Sequence, residues 1–452
     1  MIKSVRGTRD LLPPDTALWN FVEAAVRDVF RAYNFHEIRT PIFEATELFA
    51  RGVGEETDIV AKEMFTWEDR WRALDSGDNL PPGPQFEAIK QQTDAMYDAS
   101  RRRGQSLTLR PENTAGIVRA YIEHKLWDRG LNKFFSIGPM FRRERPQKGR
   151  YRQFYQIDAE VIGPPSSGSE SPARDAEILE LLATLLDRLG ITGWLLELNS
   201  VGCPADRARF NEALRKALEP VVGKMCVDCQ RRVVTNPLRV FDCKVPEDQA
   251  IIEKLPRISQ FLDEPCRKHF DEVKGILRSV GVAFHENDRL VRGLDYYTRT
   301  AFEFTHGALG AQNAILGGGR YDGLSEALGG PAAPGIGFAI GEDRLVLSLA
   351  ESAESVVRKP DVYIAPLGAG MNREAARLAR ELRRHDLVVD LGDESFRLKK
   401  SFEAADRMGA RYILIVGENE VKADAFALKH LASGEQVSVP RAELAQRISQ
   451  RS

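Results

Sequence analysis

The run FFSIGPMFRRERPQKGRYRQFYQIDAEVIG, residues 134–163, sets two extended apolar segments around a polar loop. Strand periodicity sorts the second segment by face. Arg152, Phe154, Gln156, Asp158 and Glu160 fall on one side, and Tyr155, Ile157, Ala159 and Val161 on the other. One side is a packing face and the other a polar floor. On the first segment Met140, Arg142 and Glu144 share a face. Residues 142 to 152 hold Arg142, Arg143, Arg145, Lys148, Arg150 and Arg152 against a single acid, Glu144. Six cations on one hairpin suit a polyphosphate, because guanidinium forks match phosphate oxygens. Basic runs ordinarily only solvate a loop, but a solvated loop does not require Gln156 and Glu160 in register on a strand buried on its far side.

Two further clusters have the residue types for a site. In LVRGLDYYTRTAFEF, Arg292 precedes a tight turn at Gly293, and Tyr296 and Tyr297 lead into an alternating strand. In GIGFAIGEDRL a glycine-spaced strand runs straight into a helix with Arg344 in its first turn, and a helix start beside an arginine attracts anions. Each alone reads equally well as packing, since tyrosine pairs fill cores and spaced glycines allow close approach. No GxxxxGK[ST] loop occurs, and LGGGRYDGL lacks the strand-to-helix position of a dinucleotide fingerprint. ATP, if bound, is therefore held by an antiparallel sheet with arginine clamps. Cys226, Cys229 and Cys243 form a C-x-x-C with a third cysteine, able to hold zinc with Cys203 or Cys266 as fourth ligand. The spacing misses the usual paired C-x-x-C, so reduced, partly buried cysteines are the preferred reading and no metal is assigned.

These residues need elements to position them. Asp15 can cap a helix carrying Leu18, Val22, Val26 and Val29 at spacings of three and four and running to about Tyr33. Residues 37–43 look extended, with Pro41 suited to a sheet edge. Residues 71–104 form a surface excursion between the strand that includes FTW and the one that includes SLTL. PPSSGSESP is a mobile loop by composition. Residues 200–288 are mainly helical and carry the cysteines, reading as an inserted module. From about residue 360, the runs VYIAPL, LVVDL and YILIVG alternate with helical stretches, as in parallel β-α-β units.

The chain has 452 residues, 43% of them hydrophobic, enough for several cores. The formal net charge of −2 gives no global pull toward nucleic acid, so any polyanion is held by local clusters. The N-terminus lacks an apolar targeting segment, no membrane span is apparent, and five cysteines suit a reducing compartment, so the expected location is cytoplasmic.

The three clusters, in this order, resemble the three signature motifs of class II aminoacyl-tRNA synthetases. RGTRD, LRPENTAG, MFRRERPQKGRYRQFYQ, RGLDYYTRTAFE and GGGRYDGL resemble the histidyl-tRNA synthetase family in particular. The resemblance implies an α+β catalytic domain on an antiparallel sheet, built from residues 1–199 and 289–355. It also implies a helical insertion at 200–288 and a C-terminal α/β anticodon-binding domain at 360–452. It implies a homodimer that uses ATP with Mg²⁺ and acts on L-histidine and its tRNA. Carried over, Arg142 matches the arginine at the α-phosphate, Arg344 the one at the terminal phosphate and Arg150 a loop residue reaching the outer phosphates, with Glu144 beside them. Glu112, Thr114 and Gln156 match residues at the histidine α-amino and carboxylate groups. Glu160, Tyr297 and Tyr321 match those around the imidazole, beside Tyr296. Arg292 resembles the family's additional arginine at the reacting carboxylate and α-phosphate. Asn113 stands where the family usually has glycine, which Asn replaces readily in left-handed geometry. Arg143 stands where it usually has histidine, which changes the local charge. The alternative is a catalytically inactive relative that regulates histidine biosynthesis, but such relatives lack the last domain and lose motif residues.

Overall fold

A computed structural model describes residues 2–54, 57–69, 105–146, 149–291, 296–307, 313–349 and 359–450. The excursion at 71–104, Lys148 and Arg292 lie outside the described residues. The chain divides into two compact units, Met1–Ala353 and Glu354–Ser452.

In the first unit the strands are β1 (His36–Glu37), β2 (Phe43–Ala45), β3 (Phe65–Glu68), β4 (Ser106–Leu109), β5 (Asn132–Phe141), β6 (Gln153–Ile162), β7 (Trp194–Ser200), β8 (His285–Glu286), β9 (Thr298–His306), β10 (Ala314–Arg320) and β11 (Gly335–Gly341). Eight form one sheet in the order β1-β5-β6-β11-β10-β9-β7-β8, and β2-β4-β3 form a second. The large sheet is antiparallel except for its two edge pairs, β1 with β5 and β7 with β8. The cationic loop joins antiparallel neighbours as expected, with Asn132 opposite Ile162 and Phe141 opposite Gln153.

The helix Asp15–Ala32 packs on the apolar face of this sheet. It buries Leu18, Trp19, Val22, Val26, Val29 and Phe30. Phe30 meets Phe135 edge-on at 5.2 Å and Phe338 at 6.0 Å, while Trp19 meets Tyr155 at 5.3 Å. Each such buried side chain is worth roughly 1.5–3 kcal/mol, so this face anchors the sheet and leaves the other free for a site.

Several expectations change. Asp15 is the first helical residue and makes no capping bond; Pro14 precedes it. Residues 37–43 are not one strand, because β1 ends at Glu37 and β2 starts at Phe43 in the other sheet, with Pro41 between them. PPSSGSESP is a tied-down turn. Ser169 is fully buried, its hydroxyl donates to Gly163 O at 2.8 Å, and Ser171 caps the helix Pro172–Arg188.

Residues 200–288 contain the helices Pro204–Leu218, Val227–Thr235, Pro246–Ile252 and Glu264–Ser279 around their own apolar core, which includes Phe210, Leu214, Val240, Ile252 and Leu262. A buried ionic cluster ties this module to the sheet. Asp175, on the helix Pro172–Arg188, takes Arg320 at 2.6 Å, Thr300 Oγ1 at 2.5 Å and His269 Nε2 at 2.8 Å. Burial alone would raise the Asp175 carboxyl, but the Arg320 guanidinium and His269 hold it down at about 2.

The second unit has a five-stranded sheet of β12 (Val362–Leu367), β13 (Val389–Leu391), β14 (Tyr412–Gly417), β15 (Ala425–His430) and β16 (Gln436–Pro440) in the order β13-β12-β14-β15-β16. The expected parallel pairing holds for β12 with β13 and β14, whereas β15 and β16 add an antiparallel edge. Its core gathers Ile364, Leu378, Leu414 and Phe426, among others.

Candidate active site

Two cavities open on the face of the large sheet opposite the first helix's packing. One is lined by Arg142, Glu144, Arg150, Phe154, Glu303 and Arg344, among others. The other is lined by Glu112, Thr114, Asp158, Tyr296, Tyr297 and Tyr321. Arg142, Gln156, Gly317 and Ala339 border both. Small residues on β10 and β11 leave the room, because Gly317 pairs with Ala339 and Ala339 with Asp158 across three adjacent strands.

In the first cavity Arg142 follows directly on β5. Its Nε donates to Pro111 O at 2.8 Å, and its guanidinium lies 5.2 Å from the Phe154 ring centre. Arg150 pairs with Glu144 at 3.0 Å. Burial lowers the Arg344 pKa, and the neighbouring Arg150 guanidinium lowers it further. Cations crowded in this way favour an anion between them. Arg344 lies in the first turn of the seven-residue helix that begins at Glu342, and its side chain lines this cavity. Arg9 orients that strand-to-helix corner by donating to Asp343 Oδ1 at 2.6 Å, while Asp343 Oδ2 accepts from Tyr155 N.

The second cavity is built on the polar face of β6. Gln156, Asp158 and Glu160 are all buried. Glu160 accepts from Thr114 Oγ1 at 2.6 Å and Tyr321 OH at 2.5 Å. Those bonds favour its charge, yet burial dominates and pushes it up to about 8. Gly337 is required here, since a Cβ at that position would lie 1.6 Å from Glu160 Oε2. Glu112 accepts from the backbone N–H groups of Thr114 and Ala115, so it also closes the start of the helix Thr114–Glu123. Burial raises its pKa against those bonds. Asp158 Oδ2 and Gln156 Oε1 are buried and have no hydrogen-bond partner among the described residues. Burial, then Glu112, lifts Asp158 to about 8, against Arg110 and Arg142. Glu112 and Asp158 line the cavity, with Glu160 buried beneath, an arrangement of carboxyls that suits a cationic ligand.

Residues 84–345 match the family model described as Histidyl-tRNA synthetase, and residues 361–451 match Anticodon binding domain. The chain is 66% identical to the histidine–tRNA ligase of Koribacter versatilis, over 98% of this chain and 95% of that one. It is 53% identical to the histidine–tRNA ligase of Solibacter usitatus, over 99% of each. The apo histidyl-tRNA synthetase of S. aureus superposes with a TM-score of 0.77 at 34% identity, covering 100% of both chains. The chain belongs to the histidyl-tRNA synthetase family.

Within that family frame, the structure brings Glu112, Thr114, Gln156, Tyr296, Tyr297 and Tyr321 to one cavity and Arg142, Glu144, Arg150 and Arg344 to the other, with Glu160 beneath. It divides the cationic hairpin. Arg143 lies 4.9 Å from the Phe65 ring centre, and Arg152 packs against Gly7; neither is among the residues lining these two cavities. The histidine-to-arginine departure at Arg143 therefore puts its added charge over the Phe65 ring, outside the lining of these two cavities. Asn113 has φ −118°, so it uses no left-handed geometry; its amide donates to Ser136 Oγ at 2.6 Å instead. Asp158, Phe154 and Glu303 also line the cavities and were not singled out from sequence as ligand-binding. The polar alternation of β6 is the signal that marks Asp158.

Proposed function

We infer that this chain activates L-histidine with ATP, releasing pyrophosphate, and transfers the histidyl group to the 3′ end of its tRNA. The observation that carries the reading is the shared wall of the two cavities. A carboxylate entering from the side of Asp158 and Tyr297 and an α-phosphate entering from the side of Arg150 and Arg344 meet at Arg142.

Activation is an in-line displacement. A histidine carboxylate oxygen attacks the α-phosphorus, the bond to the bridging oxygen breaks, and pyrophosphate leaves with the electron pair. The carboxylate is already ionised, so no base is needed, and the protein's task is positioning and charge neutralisation. Arg142 holds the α-phosphate, and Arg150 and Arg344 the outer phosphates. Arg292 adds positive charge at the reacting carboxylate. Glu144 and Glu303 line the phosphate cavity; their hard oxygen donors would hold Mg²⁺, which would supply positive charge to the leaving phosphates.

The substrate's α-ammonium is held by Glu112 and Asp158, with Gln156 and Thr114 at hand for the remaining polar atoms. Glu160 faces the imidazole, and Tyr296, Tyr297 and Tyr321 form its walls. Thr114 and Tyr321 already satisfy part of the Glu160 carboxyl, so an apolar amino acid is disfavoured because it offers no N–H to the lone pairs that remain. The C-terminal unit recognises the tRNA anticodon. It holds 15 Lys and Arg against 14 Asp and Glu from residue 361 onward, so recognition rests on placed contacts to splayed bases more than on bulk charge. The family resemblance further supports a homodimer working in the cytoplasm. Among the described residues no helix is long and apolar enough to cross a membrane. The direct test is charging of a histidine tRNA transcript with labelled histidine: stable, ATP-dependent incorporation at the 3′ adenosine is expected, and its absence in an active-site-titrated preparation would overturn the reading.

A further inference from the structure

The inserted module carries a four-donor cluster that the synthetase reaction does not use. Cys226, Cys229, Cys243 and Asp248 bring one ligand atom each to within 4.8 Å of one another, and all but Cys226 are buried. They come from three short elements. Cys226 caps the helix Val227–Thr235 and Cys229 lies in its first turn; Cys243 follows the turn Pro237–Asp242; Asp248 opens the helix Pro246–Ile252. The sequence favours reduced cysteines and offers Cys203 or Cys266 as a fourth ligand only if zinc binds; in the structure Asp248 takes that fourth place.

We propose that Cys226, Cys229, Cys243 and Asp248 form a closed structural zinc site that staples the inserted module. The spacing is the first argument. Zinc with sulfur ligands at about 2.3 Å in a tetrahedron sets sulfurs roughly 3.8 Å apart, and Cys226 Sγ and Cys243 Sγ are 3.8 Å apart. Asp248 Oδ2 lies 3.2 Å from Cys243 Sγ. The second argument is the surrounding shell, since backbone N–H groups point at the sulfurs as they do around thiolates. Cys229 N lies 3.4 Å from Cys226 Sγ and Val245 N 3.4 Å from Cys243 Sγ.

The third argument is packing. Of the nine residues in the helix Val227–Thr235 only Cys229 is buried, while Val227 and Val234 are 81% and 78% exposed. A helix this short is marginal alone, and hydrophobic burial gives it little hold. Coordination replaces three thiol protons, leaving three thiolates and one carboxylate around a dication, and ties that helix to the next. Four protein ligands leave no open position, so the metal's role is structural.

A neighbouring group, Cys203, Asp206, Asp263 and Cys266, is equally close-knit but offers two sulfurs where the first offers three, and it has a cation of its own. Asp206 accepts from the N–H groups of Cys203 and Asp263, and Arg209 neutralises it. It serves as the control. Metal analysis of the full-length protein, expressed with zinc and purified without chelator, should find one zinc per chain. Cys243→Ser should lose it and Cys266→Ser should keep it. Protein grown on cobalt should show near-ultraviolet thiolate-to-cobalt absorption that Cys243→Ser abolishes. Wild-type protein with less than a tenth of an equivalent of zinc, zinc retained in Cys243→Ser, or equal loss in both variants would each overturn the proposal.

Discussion

Arg142 is fixed by its backbone acceptor at Pro111 and by the Phe154 ring, at the border of both cavities. A lysine keeps the charge there but loses the planar fork and its pinning. Arg142→Lys should slow histidyl-adenylate formation by about two to three orders of magnitude with little change in apparent histidine affinity, as for a lost charge clamp. Rapid-quench measurement of adenylate formation checks this, and a loss seen mainly in histidine affinity would contradict it. Asp158 offers a second test. Burial raises its carboxyl to about 8, so near pH 7 it is mostly protonated. An α-ammonium beside it favours the charged form, so binding expels a proton, and histidine affinity rises as pH climbs toward 8 while the ammonium persists. Calorimetry of histidine binding in buffers of different ionisation enthalpy should show that release in the wild type and a much smaller one in Asp158→Asn. A buffer-independent enthalpy in the wild type would contradict the assignment.

At the scale of elements, the strand-to-helix corner after β11 stores a titration. Glu342 is fully buried, its carboxyl oxygens find no partner among the described residues, and burial, then Glu23, raises it from 4.5 to about 9. The native state keeps a proton that the unfolded chain releases near 4.5. Glu342 therefore contributes stability that is complete below that value and is lost as pH rises through about 9. Glu342→Gln should flatten the fall in melting temperature between pH 7 and 10, and parallel curves for the two proteins would refute this. Elements with a strict period were legible from sequence: the first helix, the β5–β6 hairpin and the polar face of β6 follow from alternation and spacing alone. Long-range partners were not. Arg9 finds Asp343 from 334 residues away, Arg143 is taken up by Phe65, and Asp248 joins the cysteines from a separate helix. Residue type marks such side chains as charged, and only packing decides what they face. Serines in PPSSGSESP looked like a loose loop because composition does not reveal that their hydroxyls close the turn.

Across the whole molecule there are two compact units, each with its own core, and the proposed function assigns the chemistry to the first and the tRNA reading to the second. Removing residues from 360 onward should leave histidine-dependent pyrophosphate exchange within a few-fold of normal and cripple aminoacylation; equal loss of both would refute that division. The central claim is that the carboxylate-lined cavity admits histidine to the phosphate site at Arg142. ATP–pyrophosphate exchange, run with each of the twenty amino acids in turn, tests it most directly. Exchange with histidine at least about a thousandfold above every other amino acid is the expected result, since a site built to pair a buried polar group discriminates by 10⁴ or more. Absence of exchange with histidine, or comparable exchange with another amino acid, would contradict the account.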